Sequence, residues 1–163
     1  MESEPKIAIR NLYKVFGPDP QHALKAVRDE GLGKQELLER YKHVLGLQDI
    51  NVDAQDGKIT VIMGLSGSGK STLLKCMSGL LVPSSGQMSM DGRPYSQVDH
   101  IHRKLSIMSQ RTDVLTAMSV LELVQLGRYP HLPAWGFSLS SLDNERVEYA
   151  LDFTGLNDFR YRE

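Results

Sequence analysis

The chain has 163 residues, of which 40% are hydrophobic and 24% are charged, as is ordinary for one soluble globular domain. Its formal net charge of −1 argues against a strongly basic surface of the kind that binds nucleic acid. No apolar run approaches the ~20 residues that a membrane helix needs, and the polar start, Met1–Lys6, is unlike a secretory signal. The single cysteine, Cys76, cannot form an intrachain disulfide, and we interpret it as a small core residue of a protein from a reducing cytosol.

The first third of the chain predicts a strand followed by two helices. Ile7–Ile9 begins a short strand, and Pro18-Asp19-Pro20 then interrupts regular structure. From Gln21 to Leu47 apolar residues recur at helical spacing, with glycines between two stretches. We interpret this region as a helical hairpin inserted between strands, and its charges as a solvated face.

The middle of the chain alternates strands and helices. Ile50–Ala54 is a candidate strand, and Lys58–Met63 is an apolar, β-branched run typical of a strand buried on both faces of a parallel sheet. A glycine-rich segment and a helix follow this strand directly. The remaining predicted elements are a helix at Lys70–Ser78, a strand at Gln87–Met90, a helix at Ser96–Arg103 and a strand at Leu105–Met108.

Beyond Gln110 the pattern contains helices only. Val120–Leu126 and Leu142–Thr154 are amphipathic helices, separated by a loop rich in proline and aromatic residues. Asp143 opens the second helix and is interpreted as its N-cap. This change of pattern indicates a small helical subdomain attached to an α/β core.

The strongest motif is GLSGSGKS, residues 64–71, which satisfies G-x-x-x-x-G-K-[ST]. Its glycines let successive backbone N–H groups turn inward to form an anion-binding concavity, to which the following helix adds its N-terminus. Lys70 is expected to reach the β- and γ-phosphates of ATP, Ser71 to bind Mg²⁺, and Thr72 to contact the α-phosphate. The candidate nucleotide-binding residues of the loop are Gly64, Ser66, Gly67, Ser68, Gly69, Lys70, Ser71 and Thr72.

The segment from Val61, VIMGLSGSGKSTLL, resembles the phosphate-loop region of ABC-transporter ATPases. With NLYKVFG at 11–17, residues 6–92 resemble the glycine betaine/proline uptake branch, which carries a similar insertion. The resemblance implies that the adenine ring stacks on Phe16, a contact worth about 1–3 kcal/mol. The alternative is that Phe16, or its neighbour Tyr13, packs in the core.

The resemblance also identifies Gln110 as the Q-loop glutamine, which contacts Mg²⁺ or the attacking water and whose loop touches the membrane partner. LGRYPH at 126–131 and TGL at 154–156 resemble instead the iron-siderophore and vitamin B12 importers, a branch that residues 100–163 match better. The chain is therefore interpreted as a mosaic, either an engineered or computed hybrid or a divergent natural member.

The predicted fold class is α/β, a partial P-loop NTPase core at residues 1–110 with a helical insertion at 18–47, and the start of a helical subdomain at 111–163. The resemblance places a signature motif, a Walker B strand and a switch histidine after Glu163, and the sequence contains none of them. The resemblance implies the ATP-binding subunit of an importer, which binds Mg-ATP to energise transport. We expect this chain not to hydrolyse ATP alone, and to bind Mg-nucleotide weakly or not at all, because the strand that normally flanks Ile59–Met63 is absent. The implied partners are permease subunits and a second ATP-binding subunit, at the cytoplasmic face of a membrane.

Two other interpretations stay open at this point. One is a non-catalytic truncated or hybrid module that keeps part of the fold. The other is a small P-loop kinase or GTPase, which would need acceptor-site acids or a guanine-reading motif, and the sequence has neither.

Overall fold

The computed structural model describes residues 4–108, 118–133 and 138–162. Backbone contacts divide the chain into two compact units, Met1–Ile107 and Met108–Glu163. Their assignment to a nucleotide-binding core and a helical subdomain stays a prediction. Among the described residues, the strands of the first unit are β1 (Ile7–Phe16), β2 (Val44–Ala54), β3 (Ser85–Met90) and β4 (Arg93–Pro94), and its helices are α1 (Pro20–Glu30), α2 (Lys34–Tyr41), α3 (Lys70–Met77) and α4 (Ile101–Lys104).

The strands form one antiparallel sheet in the order β2-β1-β3-β4. Strand β1 pairs with β2 from Ile7 opposite Ala54 to Phe16 opposite Val44, with three register shifts on the way. Its other edge pairs with β3, where Ile7 lies opposite Met90. Pairing with β2 extends β1 to Phe16, well beyond the three residues at which the predicted strand begins.

Helices α1 and α2 form where the sequence predicts the helical hairpin. Asp19 caps α1 by accepting the His22 N–H at 3.1 Å, and α2 ends at Lys42, whose φ of 56° is left-handed. The prediction that helix continues to Leu47 is wrong. Val44 to Leu47 instead pair with β1, because the left-handed turn at Lys42 redirects the chain into the sheet.

The buried side chains of the first unit form two clusters. One cluster joins α1 and α2 to β1 and β2, and the other joins α3 to β1, β2 and β3. The first contains Val15, Ala23, Leu24, Ala26, Val27, Leu32, Leu37 and Leu45. The second contains Ile7, Ile9, Leu12, Leu47, Leu73, Cys76 and Met90. Cys76 is fully buried, which confirms its interpretation as a core residue.

A buried histidine links β1 to the hairpin. His43 Nε2 accepts the Asp19 N–H at 3.1 Å, so Nδ1 carries the proton and donates to the Tyr41 carbonyl at 2.6 Å. Its ring lies against Gly17, where a Cβ atom would approach within 2.2 Å of the imidazole. The turn after β1 therefore requires glycine at this position.

The predicted strand Lys58–Met63 does not form. The side chains of Ile59, Val61 and Met63 are 94%, 71% and 87% exposed, and only Ile62 packs against the second cluster. A strand of a parallel sheet needs a hydrogen-bonded neighbour, and no segment in the described ranges pairs with these residues. The sequence has the apolar pattern of a buried strand, but no described segment covers the side chains of Ile59, Val61 and Met63.

Two further predictions in the first unit fail in detail. The helix expected at Ser96–Arg103 is split into a 3₁₀ turn, Tyr95–Gln97, and α4, because His100 between them has a left-handed φ of 50°. The strand expected at Leu105–Met108 is absent from the regular structure. Leu105 packs against the second cluster, whereas Met108 is exposed.

The second unit contains, in its described residues, helices α5 (Val120–Leu126) and α6 (Ser141–Thr154). The N-cap of α6 is Ser140, and Asp143 is the third helical residue rather than the cap. Hydrogen bonds from the Ser140 hydroxyl and amide, and from Arg128, lower the pKa of Asp143 to about 2. None of the helices seen in the described residues has the length and apolar character needed to cross a membrane.

Candidate functional site

Residues 64–69 form a glycine-rich turn that leads into α3. The Ser68 N–H lies 3.2 Å from the Leu65 carbonyl and closes the turn. Gly67 and Gly69 have φ values of 77° and 98°, a region that side chains other than glycine rarely adopt. Gly69 is the N-cap of α3 and has no side chain to bond the first helical N–H groups, which are therefore available to an anion.

The Lys70 ammonium lies across this turn. Its Nζ donates to the Leu65 carbonyl at 2.8 Å, to the Gly64 carbonyl and, at 3.4 Å, to Ser68 Oγ. These acceptors are weaker partners than a phosphate oxygen, because a phosphate carries a negative charge that attracts the ammonium and a carbonyl does not. The cation that the motif requires is thus held at the turn by bonds that a phosphate could replace.

Gly46 of β2 lies between this turn and the Phe16 ring. A Cβ atom on Gly69 would approach within 2.4 Å of the Gly46 carbonyl oxygen, and one on Gly46 would approach within 2.7 Å of Phe16 Cε2. Both close approaches are possible only because residues 46 and 69 are glycines. The structure therefore brings Phe16 and the phosphate loop, which are about 50 positions apart, next to the same residue.

Phe16 is the aromatic residue beside the loop, and Tyr13 is not. The Phe16 side chain is 37% exposed, with the Lys14 ammonium 5.2 Å from its ring centroid. Tyr13 packs against the first core cluster, and the Arg28 guanidinium lies 4.7 Å from the centre of its ring. The alternative that Tyr13 packs in the core is consistent with this arrangement, and Phe16 keeps surface on which a base could stack.

Helix α3 fixes Ser71 and Thr72 at the loop. Leu73 and Cys76 anchor the helix on the sheet, and burial raises the pKa of the Cys76 thiol. At the other end of α3 the Tyr95 hydroxyl donates to the Met77 carbonyl at 3.0 Å, and burial raises the pKa of Tyr95 to about 12. Ser71 is exposed and follows Lys70 directly, so its hydroxyl is accessible to a metal bound with phosphate.

The structure does not place every predicted site residue. Gln110 lies outside the described residues, and its roles at Mg²⁺ and at the attacking water stay predictions. No group of three or more His, Cys, Asp or Glu side chains in the described ranges could hold a metal ion by itself. Protein ligands for Mg²⁺ in these ranges would therefore be few, as is common where the substrate phosphates supply most of them.

Sequence reasoning missed two residues that contact the loop. Gly46 gave no signal because a glycine within a predicted helix carries no indication of what it will lie against. Lys34, the first residue of α2, donates from Nζ to the Gly67 carbonyl at 2.8 Å. The sequence treats this lysine as one charge of a solvated face, and nothing in its spacing connects it to a loop 33 positions later.

A sequence model of a known family, the ABC transporter family, matches residues 47–163. The glycine betaine/proline betaine transport system ATP-binding protein of Escherichia coli strain K12 is 35% identical over 154 residues, covering 90% of this chain and 36% of that protein. A petrobactin import ATP-binding protein of Bacillus anthracis is 32% identical, covering 82% of this chain and 50% of that protein. The chain thus spans about a third to a half of the length of these relatives.

Solved structures agree on the fold. The dimeric post-hydrolysis structure of an ATP-binding cassette with ADP and Pi matches with a TM-score of 0.66 at 20% identity, covering 96% of this chain and 61% of that one. A dimeric bacterial ABC transporter cassette matches with a TM-score of 0.65 at 22% identity and the same coverage. These matches confirm the predicted fold class, a partial P-loop NTPase fold of mixed α/β type.

Proposed function

Since this chain belongs to the ABC transporter family, we propose that it is the N-terminal portion of the ATP-binding subunit of an importer and that it binds Mg-ATP at residues 64–72. The observation that carries this proposal is the glycine-rich turn, with the Lys70 ammonium across it and the uncapped start of α3 beside it. The relatives that are named as transport and import ATP-binding proteins support the transport assignment. They give no support to a small kinase or GTPase.

In the proposed complex the triphosphate lies in the turn and the base lies on Phe16. Lys70 exchanges its loop carbonyls for the β- and γ-phosphates, Thr72 contacts the α-phosphate, and Ser71 holds Mg²⁺ together with phosphate oxygens. Gln110 is proposed as a further contact, to Mg²⁺ or to the attacking water. Mg²⁺ held by Ser71 would partly neutralise the charge of the phosphates, which is the chemistry it supplies in phosphoryl transfer.

The partners we propose are integral membrane permease subunits and a second ATP-binding subunit. The support is indirect, and consists of relatives that are named as parts of transport systems and a related cassette that is dimeric. Docking on permeases would place the protein on the cytoplasmic face of a membrane. We further propose that residues 1–163 bind nucleotide without hydrolysing it alone, because no apolar run after Gln110 ends in the paired acids that would hold Mg²⁺ and orient water.

The test is a titration of the purified chain with a fluorescent ATP analogue and Mg²⁺. Lys70→Ala removes a charge-assisted hydrogen bond, and we expect it to weaken binding about tenfold or more. Lys75→Ala is the matched control, because Lys75 lies on the same helix, is exposed and carries the same charge. Saturable binding that only Lys70→Ala weakens supports the proposal. Absent binding, or equal loss in both variants, contradicts it.

A further inference from the structure

Lys34 connects the inserted hairpin to the phosphate loop, and we propose that it is a positioning residue for nucleotide phosphates. It begins α2, and its Nζ donates to the Gly67 carbonyl at 2.8 Å. The helix that presents it is fixed on the sheet by Leu37, which is fully buried in the first core cluster. The inference rests on the proposed function, because it concerns the same nucleotide site.

The contact determines which way one peptide group of the loop faces. In a trans peptide the carbonyl and the N–H point in opposite directions, so the orientation of the Gly67 carbonyl sets that of the Ser68 N–H. Lys34 holds the carbonyl on the α2 side, and the Ser68 N–H then faces the inside of the turn, 3.2 Å from the Leu65 carbonyl. That N–H is one of the groups that a phosphate-binding turn offers to its ligand.

The Lys34 bond matters because residue 67 is a glycine. Gly67 has a φ of 77°, and no atom lies within 4 Å of the position where its Cβ would be. A peptide next to an unhindered glycine can rotate between orientations at little energetic cost. The bond from Lys34 holds this peptide at its carbonyl, and the bond to the Leu65 carbonyl holds it at the Ser68 N–H. When a phosphate displaces the Leu65 carbonyl from that N–H, Lys34 is the remaining bond that keeps the N–H turned inward.

Lys34 also adds positive charge on a second side of the loop. Lys70 contacts the carbonyls of residues 64 and 65, whereas Lys34 contacts that of residue 67. A triphosphate in the turn would therefore be close to two ammonium groups that come from different helices. Because Lys34 is exposed, solvent screens its charge, and the effect on affinity is limited to about fivefold.

The hairpin offers a matched control. Lys25 is an exposed lysine of α1 with the same charge, and its side chain makes no hydrogen bond to the phosphate loop within the described residues. Arg40 is less suitable, because its guanidinium pairs with Glu30 at 3.6 Å. Lys25→Ala therefore removes one positive charge from the insertion without removing the contact to Gly67.

The experiment measures displacement of a fluorescent ATP analogue by Mg-ATP, by inorganic tripolyphosphate and by adenosine. We expect Lys34→Ala to weaken Mg-ATP and tripolyphosphate by about fivefold and to leave adenosine within about twofold of wild type. Lys34→Arg, which keeps a cationic donor, should restore most of the affinity. Lys25→Ala should behave as wild type, and an unchanged melting temperature should show that Lys34→Ala is folded.

Three results would overturn the inference. Equal weakening of adenosine would mean that Lys34 only supports the fold, while unchanged or tighter tripolyphosphate binding would mean that its bond to Gly67 does not favour the ligand. Measuring Lys70→Ala in the same series separates the two proposals. If Lys70→Ala loses affinity and Lys34→Ala does not, only the role of Lys34 fails. If the wild-type chain shows no saturable binding, both proposals fail.

Discussion

Gly46→Ala tests whether strand β2 sets the position of the Phe16 ring. A Cβ at residue 46 would lie 2.7 Å from Phe16 Cε2, 3.3 Å from Cδ2 and 3.2 Å from the Lys14 carbonyl oxygen. Carbon atoms in contact need ~3.5 Å, so the ring has to retreat by about 0.8 Å. Gly46 has no left-handed φ, so alanine adds no torsional strain, but the Lys14 carbonyl has to shift by a few tenths of an ångström. The ring is free to move because it is partly exposed.

We expect Gly46→Ala to weaken only the contact between Phe16 and the adenine base. Stacking of a base on an aromatic side chain contributes about 1–3 kcal/mol, and displacing the ring should forfeit ~1 kcal/mol of it, or about fivefold in Kd for Mg-ATP. The new methyl group lies on the Phe16 side, while the Gly46 carbonyl still lies against Gly69. The affinity for inorganic tripolyphosphate, which has no base, should therefore stay unchanged.

The assay is the same displacement of a fluorescent ATP analogue, applied to Gly46→Ala, Phe16→Leu and the double variant. Because Gly46→Ala acts through the Phe16 ring, the double variant should bind Mg-ATP no more weakly than Phe16→Leu alone. The reasoning is refuted if tripolyphosphate weakens by the same factor as Mg-ATP. It is also refuted if Gly46→Ala costs as much affinity in the Phe16→Leu background as in wild type.

Two further predictions concern stability. Hydrogen bonds lower the pKa of Asp143 to about 2, from an unfolded value of ~3.9. The ionised carboxylate therefore stabilises α6 above pH ~4, and this stabilisation is lost as the pH falls towards 2. Far-UV circular dichroism during acid titration should show this loss of helix in wild type and a weaker pH dependence in Asp143→Asn. Gly17→Ala places a Cβ 2.2 Å from the His43 ring at a φ of 146°, and should lower the free energy of unfolding by about 2–3 kcal/mol in urea titrations. If Gly17→Ala lowers the free energy of unfolding by as much in a His43→Ala background as in wild type, the clash with the His43 ring is not the cause of the loss.

Local signals in the sequence predict the loop and its helix well. The glycine spacing, the lysine and the apolar face of Lys70–Ser78 all depend on neighbours within a few positions, and the observed α3 starts at the expected residue. The same holds for the two helices of the second unit, since a capping residue and a 3.6-residue period are local properties. Ser140 and Asp143 differ from the prediction only in which of them is the cap.

Predictions that depend on distant pairing fail. Val44 to Leu47 carry residues that suit a helix or a strand, and the choice follows from hydrogen bonds to β1, about 30 positions earlier. The predicted strand at Lys58–Met63 is wrong for the opposite reason. A buried strand needs neighbouring strands to hydrogen-bond with, and the described residues contain none beside this segment. Gly46 and Lys34 become recognisable only when the fold brings them to the loop, so no pattern along the chain could have identified them.

The two ends of the phosphate loop are held very differently. Downstream, α3 is fixed by buried side chains, whereas upstream Lys58–Met63 has no ladder of backbone hydrogen bonds within the described residues. Amide hydrogens upstream should thus exchange with solvent far faster than those of α3. Fixing the backbone of residues 58–63 costs ~1–2 kcal/mol per residue in conformational entropy. If another strand pairs with these residues first, that strand offsets the entropy cost, and less of it is left to oppose nucleotide binding. By thermodynamic reciprocity, such pairing and nucleotide binding would strengthen each other by the same factor.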